Sequence, residues 1–264
     1  MARRYGIGTV VALVFTLLVW STTFAGLRAS LEHFSPGHLV FLRWGIAAIA
    51  LAGYGALTGM RLPALRDLPL ISVAGLLGFG LYQVALAYGQ VGLTAGTAGL
   101  LINLAPAFTT GLAAALGRER ITWRLWTGLA VSMAGVALLG VARGGFGGSP
   151  LHAGLVALAA LSFAGYVLVS KPLLGRYSPL ELTTYAVCAG SLPFVIWAPG
   201  ALSALASVPA TGLATLAYMA LLPAALAYVT WARAASVLPA SVAATALYLV
   251  PVLGLGVAWL WLGE

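Results

Sequence analysis

Nine stretches of this 264-residue chain are each about 20 residues long and almost wholly apolar. That is the length an α-helix needs to cross the hydrocarbon core of a bilayer. They run roughly over 5–27, 36–57, 67–89, 94–116, 122–142, 151–171, 179–198, 211–235 and 239–262. Turn-formers sit between them: Ser35-Pro36-Gly37, Leu62-Pro63, the run from Gly144 to Pro150, Ser178-Pro179 and Pro199-Gly200. Hydrophobic residues make up 62% of the chain and charged residues 7%. A soluble domain carries about 25% charged residues, so these few charges would not cover a water-facing surface. A transmembrane β-barrel alternates over strands of about 10 residues, whereas these runs are longer and apolar all round. The expectation is an all-α polytopic membrane protein. Arg3-Arg4, an apolar run and Phe24-Ala25-Gly26 also fit a signal peptide. The recurrence of the same helix mid-chain favours a true span.

Basic residues set the orientation. With the N-terminus cytoplasmic, the inner side holds Arg3, Arg4, Arg61, Arg66, Arg118, Arg120, Arg124, Lys171, Arg176 and Arg233, and the outer side holds only Arg28 and Arg143. Arg43 lies within the second span. The net charge of +8 is therefore a topology signal, and no nucleic-acid partner is needed to explain it. A single cysteine, Cys188, excludes an internal disulfide and any Cys-x-x-Cys site.

The chain repeats itself. Trp20-Ser21-Thr22-Thr23-Phe24 leads to Ser35-Pro36; Phe163-Ala164-Gly165-Tyr166-Val167 leads to Ser178-Pro179, 143 residues on. Ala95-Gly96-Thr97-Ala98, Pro106 and Gly117-Arg118-Glu119 match Ala240-Ser241-Val242-Ala243, Pro251 and Leu262-Gly263-Glu264, about 145 residues on. Two units follow, 1–143 with five helices and 151–264 with four. One span follows Glu119, so a tenth helix is expected after Glu264 and is missing from this chain. An odd number of spans per unit turns the copies upside down relative to each other, an arrangement common in secondary transporters with a midplane site between the repeats.

The Trp20 helix, Arg43-Trp44 and the Ala-Gly-Thr-Ala…Pro…Gly-Arg-Glu run with its second copy resemble the drug/metabolite transporter superfamily, EamA type, over essentially the whole chain. The resemblance implies ten helices in two inverted five-helix bundles, cytoplasmic termini, and export of amino acids or similar small metabolites. It also implies residence in the bacterial cytoplasmic (inner) membrane. The chain departs from that pattern in lacking the tenth helix.

A solute path through such a bundle needs polar and aromatic groups facing inward, and helical spacing groups them. Thr16, Trp20 and Thr23 share one face; Phe163, Tyr166 and Ser170 share another. Gly96, Gly99, Asn103 and Pro106 form a stripe, matched by Ser241, Thr245 and Tyr248. Tyr82 and Gln83 lie mid-span, as do Tyr228 and Trp231. The expected substrate-binding residues are Trp20, Thr23, Arg43, Tyr82, Gln83, Asn103, Tyr166, Tyr228 and Tyr248. Small-residue stripes also pack helices closely, and Trp and Tyr also populate interfacial belts. Pro106, Pro223 and Pro251 lie within spans and are expected bending points. Each frees the carbonyl four residues earlier (Ile102, Met219, Leu247), which then needs a partner. Arg43 lies on the order of 10 Å from the outer end of its span. It either snorkels outward or faces the bundle and binds a carboxylate or a carbonyl ring.

Glu32, Asp67, Glu119, Glu181 and Glu264 are all in loops or at helix ends, as are His33, His38 and His152. No mid-membrane proton relay is expected, and facilitated, gradient-driven efflux is the simplest reading. The spans hold no Ser–His or paired-Asp constellation, no Gly-x-Ser-x-Gly motif and no metal-ligand cluster, so neither an enzyme, a metal site nor a cofactor is expected. Nucleotide-sugar or sugar-phosphate carriers and channel-like facilitators are the rival readings. One buried Arg is thin compensation for substrates carrying two or more negative charges, so neutral or zwitterionic metabolites are favoured, including aromatic ones that stack on Trp and Tyr. The expected partners are a small-molecule substrate and the lipid bilayer, the chain acting as a monomer or homodimer.

Overall fold

The computed structural model describes residues 6–117, 149–238, 246–247 and 249–263, together with Trp123 and Thr127. Among them there are helices and no strands. Seven helices are long and apolar enough to cross a membrane: α1 Ile7–Ser30, α2 Pro36–Thr58, α3 Leu65–Gln90, α4 Ala95–Ala115, α5 Pro150–Gly175, α6 Pro179–Leu205 and α7 Ala210–Ala234. A shorter apolar helix, α8, covers Leu249–Leu262. The span expected over 122–142 and the first part of the one expected over 239–262 lie outside the described residues.

The helix ends follow local chemistry. Ser35 and Ser178 cap α2 and α6, each followed by a proline at the first helical position, where the missing N–H has no partner to lose. Ser178 and Glu181 form a reciprocal capping box, with Glu181 N donating to Ser178 Oγ at 3.2 Å and Ser178 N to Glu181 Oε2 at 2.8 Å. Gly59, with φ of 70°, ends α2 in the left-handed conformation glycine tolerates. Pro199-Gly200 differs from expectation. It restarts a helix at Ala198–Leu205 after a 3-10 stretch at Leu192–Trp197, because Pro199 falls in the first turn of the new segment.

Besides α6, and α4 near Asn103, three helices are irregular mid-course. The hydrogen-bonding run of α1 changes at Thr22. Wide π-helical turns occupy Leu76–Leu81 of α3 and Leu222–Leu226 of α7. Such turns leave carbonyls for outside donors.

Contacts along the helices show which run antiparallel. Thr16 of α1 meets Thr230 of α7 with the hydroxyls 2.7 Å apart, and Thr22 meets Tyr218 at 2.7 Å. On α5, Ser162 Oγ donates to Leu77 O of α3 at 2.8 Å, while Val156 packs on Gly89. At the start of α2, Gly37 lies under Trp197 and His38 lies against Gly200, both near the end of α6. Gly75 of α3 and Gly190 of α6 bring two backbones together: a Cβ on Gly75 would come within 2.5 Å of the Ala186 carbonyl. Glycine is required there because no larger residue permits that approach.

Two large buried clusters fill the bundle, one around Leu39, Leu42, Leu86, Leu93 and Met219, the other around Trp44, Phe79, Val187 and Phe194. Large apolar residues are also exposed on the outside, Ile49, Leu57, Val195, Ile196 and Leu260 among them. A surface of that kind suits lipid, where outward apolar groups cost nothing.

Candidate transport site

Arg43 is the one charge mid-way along a described helix, and its side chain is 4% exposed. Of the two orientations open to it, the structure takes the inward one. Pro223 has no N–H to offer the Met219 carbonyl four residues before it. Arg43 Nε supplies that bond instead, at 3.3 Å, tying α2 to α7. The guanidinium carbon stands 5.1 Å from the Trp44 ring centroid, a cation–π contact. The Tyr82 and Tyr228 phenols lie close enough to interact with the Arg43 charge. No carboxylate pairs with Arg43 among the described residues. Among the described residues its one hydrogen bond is made through Nε, and a guanidinium keeps its charge in a protein. The Trp44 indole N–H is likewise buried without a partner among the described residues.

A chain of rings adjoins this cation through Trp44, Tyr82 and Tyr228. Trp20 stacks with Trp231 at 5.5 Å and edge-to-face with Tyr228 at 5.3 Å. Tyr228 meets Phe79 at 5.9 Å, and Phe79 meets Tyr166 at 5.6 Å and Trp44 at 5.2 Å. Phe163 bridges Tyr166 at 5.6 Å to Tyr82 at 5.5 Å. All of these centroid separations fall in the favourable range for aromatic pairs. The rings come from α1, α2, α3, α5 and α7. Phe79 is the hub, carried inward on the π-helical turn of α3 and 3% exposed. Trp20, Tyr82, Tyr166 and Tyr228 are half-buried. Carbonyls of both π-helical turns are taken by side chains of other helices: Pro223 O accepts from Trp20 Nε1 at 3.2 Å, and Leu77 O from Ser162.

The sequence-predicted residues divide accordingly. Trp20, Arg43, Tyr82, Tyr166 and Tyr228 converge, and Pro223 joins them through its carbonyl. Gln83 is buried on the adjacent face of α3, and Thr23 is half-buried beside Thr22, whose hydroxyl bonds Tyr218. Asn103 is exposed and turns back onto its own helix, Nδ2 donating to Gly99 O at 3.0 Å. It marks an interruption of α4, and Pro106 lies in the first turn of the segment that resumes at Ala105. Pro251 is half-buried in α8, and Tyr248 lies outside the described residues. Phe79, Trp44 and Thr22 are not among the substrate-binding residues expected from the sequence, although Trp44 belongs to the Arg43-Trp44 pair and Thr22 to the repeated Trp20–Phe24 stretch. For Phe79 the available signal is Gly78-Phe79-Gly80, a large ring between two glycines in mid-span.

The two ends of α3 are tied differently. At its start Asp67 is buried and accepts from Tyr177 Oη at 2.8 Å and from the Arg176 guanidinium. Beside it, Arg61 approaches Glu181 at 3.7 Å and offers its carbonyl to the Tyr185 hydroxyl. At the other end Gln90 Nε2 donates to Phe24 O at 2.6 Å, and Arg28 to Val91 O at 3.0 Å.

The sequence profile of the EamA-like transporter family matches the chain twice, over residues 7–141 and 151–264. The chain is 39% identical over 253 residues to a protein of Streptantibioticus cattleyicolor named "probable terminal-alkyne amino-acid exporter", covering 96% of this chain and 85% of that one. It is 33% identical to the uncharacterized transporter YdfC of Bacillus subtilis, over 93% of this chain and 80% of that one. A solved crystal structure shares the fold with a TM-score of 0.65 at 20% identity, covering 96% of this chain and 89% of that one. With matches covering nearly its whole length and helices able to cross a bilayer, the chain belongs to the EamA-like transporter family and is a multi-pass membrane transporter.

Proposed function

We propose that this transporter exports amino acids and similar small zwitterionic or neutral metabolites across the bacterial cytoplasmic membrane, by alternating access at a site around Arg43. One observation carries the reading: a buried guanidinium with Nε committed and no carboxylate partner among the described residues, next to Trp44, Tyr82 and Tyr228, which belong to a chain of aromatic contacts across five helices. Such a cation holds a substrate carboxylate through charge-assisted bonds, while the rings receive an apolar or aromatic side chain. Trp20, Tyr82, Tyr166 and Tyr228 form the wall in this reading. The name of the Streptantibioticus relative, probable terminal-alkyne amino-acid exporter, agrees with it.

The site lies between two copies of one unit, 1–143 with five helices and 151–264 with four, facing opposite ways as in a ten-helix architecture with a cytoplasmic N-terminus. Recurring helix landmarks support this: α2 and α6 begin at Pro36 and Pro179, 143 residues apart, and α3 and α7 at Leu65 and Ala210, 145 apart. The π-helical turns end at Leu81 and Leu226, and Gly117 and Gly263 share a positive φ. The matching helices α2 and α6 run antiparallel, as inverted copies must. Asp67 and Glu181 are engaged at the basic end of the bundle, away from Arg43, which supports passive, gradient-driven efflux without a carboxylate relay.

The test is counterflow into proteoliposomes with a panel of amino acids, purines, sugars and sugar phosphates, with and without a pH gradient. Amino acids are expected to exchange without the gradient. Uptake of no amino acid above protein-free vesicles refutes the substrate class, and a strict need for the gradient refutes passive efflux.

A further inference from the structure

We infer that the substrate's carboxylate is the group this site requires and its α-ammonium is not, so that the substrates are apolar and aromatic monocarboxylates, amino acids being one kind among them. The inference rests on Arg43 as the anion anchor and narrows what that anchor selects.

The argument is one of charge balance. The chain has five acidic residues. Asp67 is held by Arg176 and Tyr177 at the start of α3, Glu181 caps α6 beside Arg61, and Glu32 is exposed beyond α1. Glu119 and Glu264 follow the glycines, Gly117 and Gly263, that come after the ends of α4 and α8. None of the three described carboxylates lies in a helix interior, so among the described residues the site carries the charge of Arg43 without a counter-charge. A ligand of net charge −1 brings it to neutrality. The carboxylate of a zwitterion pairs with Arg43 too, but its net charge is zero, so the site stays positive and the ammonium meets no carboxylate.

Nor do the nearby carbonyls answer for one. Met219 O accepts from Arg43, Pro223 O from Trp20 and Leu77 O from Ser162. The groups placed beside Arg43 are aromatic: Trp44, Tyr82 and Tyr228, the last in contact with Trp20 and Phe79. Ring faces attract an ammonium only modestly, and taking that charge out of water costs more than this attraction returns unless a carboxylate pairs with it. An α-hydroxyl, α-keto or N-acyl group should therefore replace the α-ammonium without loss.

The experiment is inhibition of labelled phenylalanine counterflow in proteoliposomes of the intact chain by 3-phenyllactate, N-acetylphenylalanine and phenethylamine. The two carboxylates are expected to compete within about threefold of unlabelled phenylalanine, and phenethylamine, which keeps only the ammonium, more weakly by about tenfold or more. If phenylalanine is carried but 3-phenyllactate fails to compete, or phenethylamine competes equally, the inference falls and the amino-acid reading stands. If no amino acid is carried, direct uptake of labelled 3-phenyllactate decides: uptake supports the carboxylate rule while the amino-acid reading fails, and its absence overturns both. These comparisons use the unmodified protein, so no variant has to fold.

Discussion

Replacing Arg43 by methionine separates binding from folding. The change removes the Nε bond to the Met219 carbonyl and the contact with the Trp44 ring. A hydrogen bond from a charged donor contributes about 1.5–3 kcal/mol, and the cation–π contact about 0.5–1 kcal/mol. Against this, a guanidinium near the membrane centre costs about 2.5–3.5 kcal/mol on insertion scales. The terms nearly cancel, so Arg43→Met is expected to fold with a stability within about 1 kcal/mol of the parent, a melting shift of only about 2–4 °C. Transport behaves otherwise: loss of the charge-assisted grip on a carboxylate weakens carboxylate substrates by about 10–100-fold. Stability can be followed with a thiol-reactive fluorophore, because Cys188 is the single cysteine and is only part-exposed in the folded chain. Counterflow reads transport in the same preparation. Near-normal transport of every carboxylate by a folded Arg43→Met protein would refute the assignment. A large drop in melting temperature with transport intact would make Arg43 a strut for the carbonyl that Pro223 frees. Pro223→Ala in the same background returns an N–H for Met219 O, and should recover part of any stability lost.

Elsewhere, Gly190→Val drives a side chain into the Gly75 backbone and should lower stability by about 1–3 kcal/mol, measured as a fall in the melting midpoint. Asp67→Asn keeps the shape but weakens the acceptor for Tyr177 and Arg176. It should cost about 1–3 kcal/mol, mostly from the buried Tyr177 bond, and an unchanged midpoint would contradict this. A double-mutant cycle of Thr16→Val and Thr230→Val should return a coupling of about 0.6 kcal/mol, the usual size of an intramembrane hydrogen bond. Trp20→Phe keeps the ring stack but removes the donor to Pro223 O; a stability loss of about 0.5–1.5 kcal/mol is expected, with transport of aromatic substrates retained.

Local rules account for the parts that were legible in the sequence. An apolar run of bilayer length has to be helical, since lipid offers nothing to an open backbone, and α1–α7 lie within a few residues of their expected limits apart from the longer end of α6. Ser-Pro before α2 and α6 states its own cap chemistry. The need of the Met219 carbonyl for an outside partner follows from Pro223 alone. Asn103 shows the limit of such reasoning: spacing put a polar group in mid-span, but a side chain that satisfies itself on Gly99 O needs no partner across the bundle.

The sequence by itself determined that this chain spans a membrane as helices, where most of them start, and that one cation lies where it needs company. These follow from interactions between residues a turn or two apart. Only the tertiary structure decided that Arg43 satisfies Met219, that Phe79 rather than a polar residue is the hub, and that rings 200 residues apart, Trp20 and Tyr228 among them, touch. An apolar helix is apolar on every side, so periodicity cannot say which face turns inward. That choice belongs to close approaches such as Gly75 against Gly190, which exist only once the helices have packed.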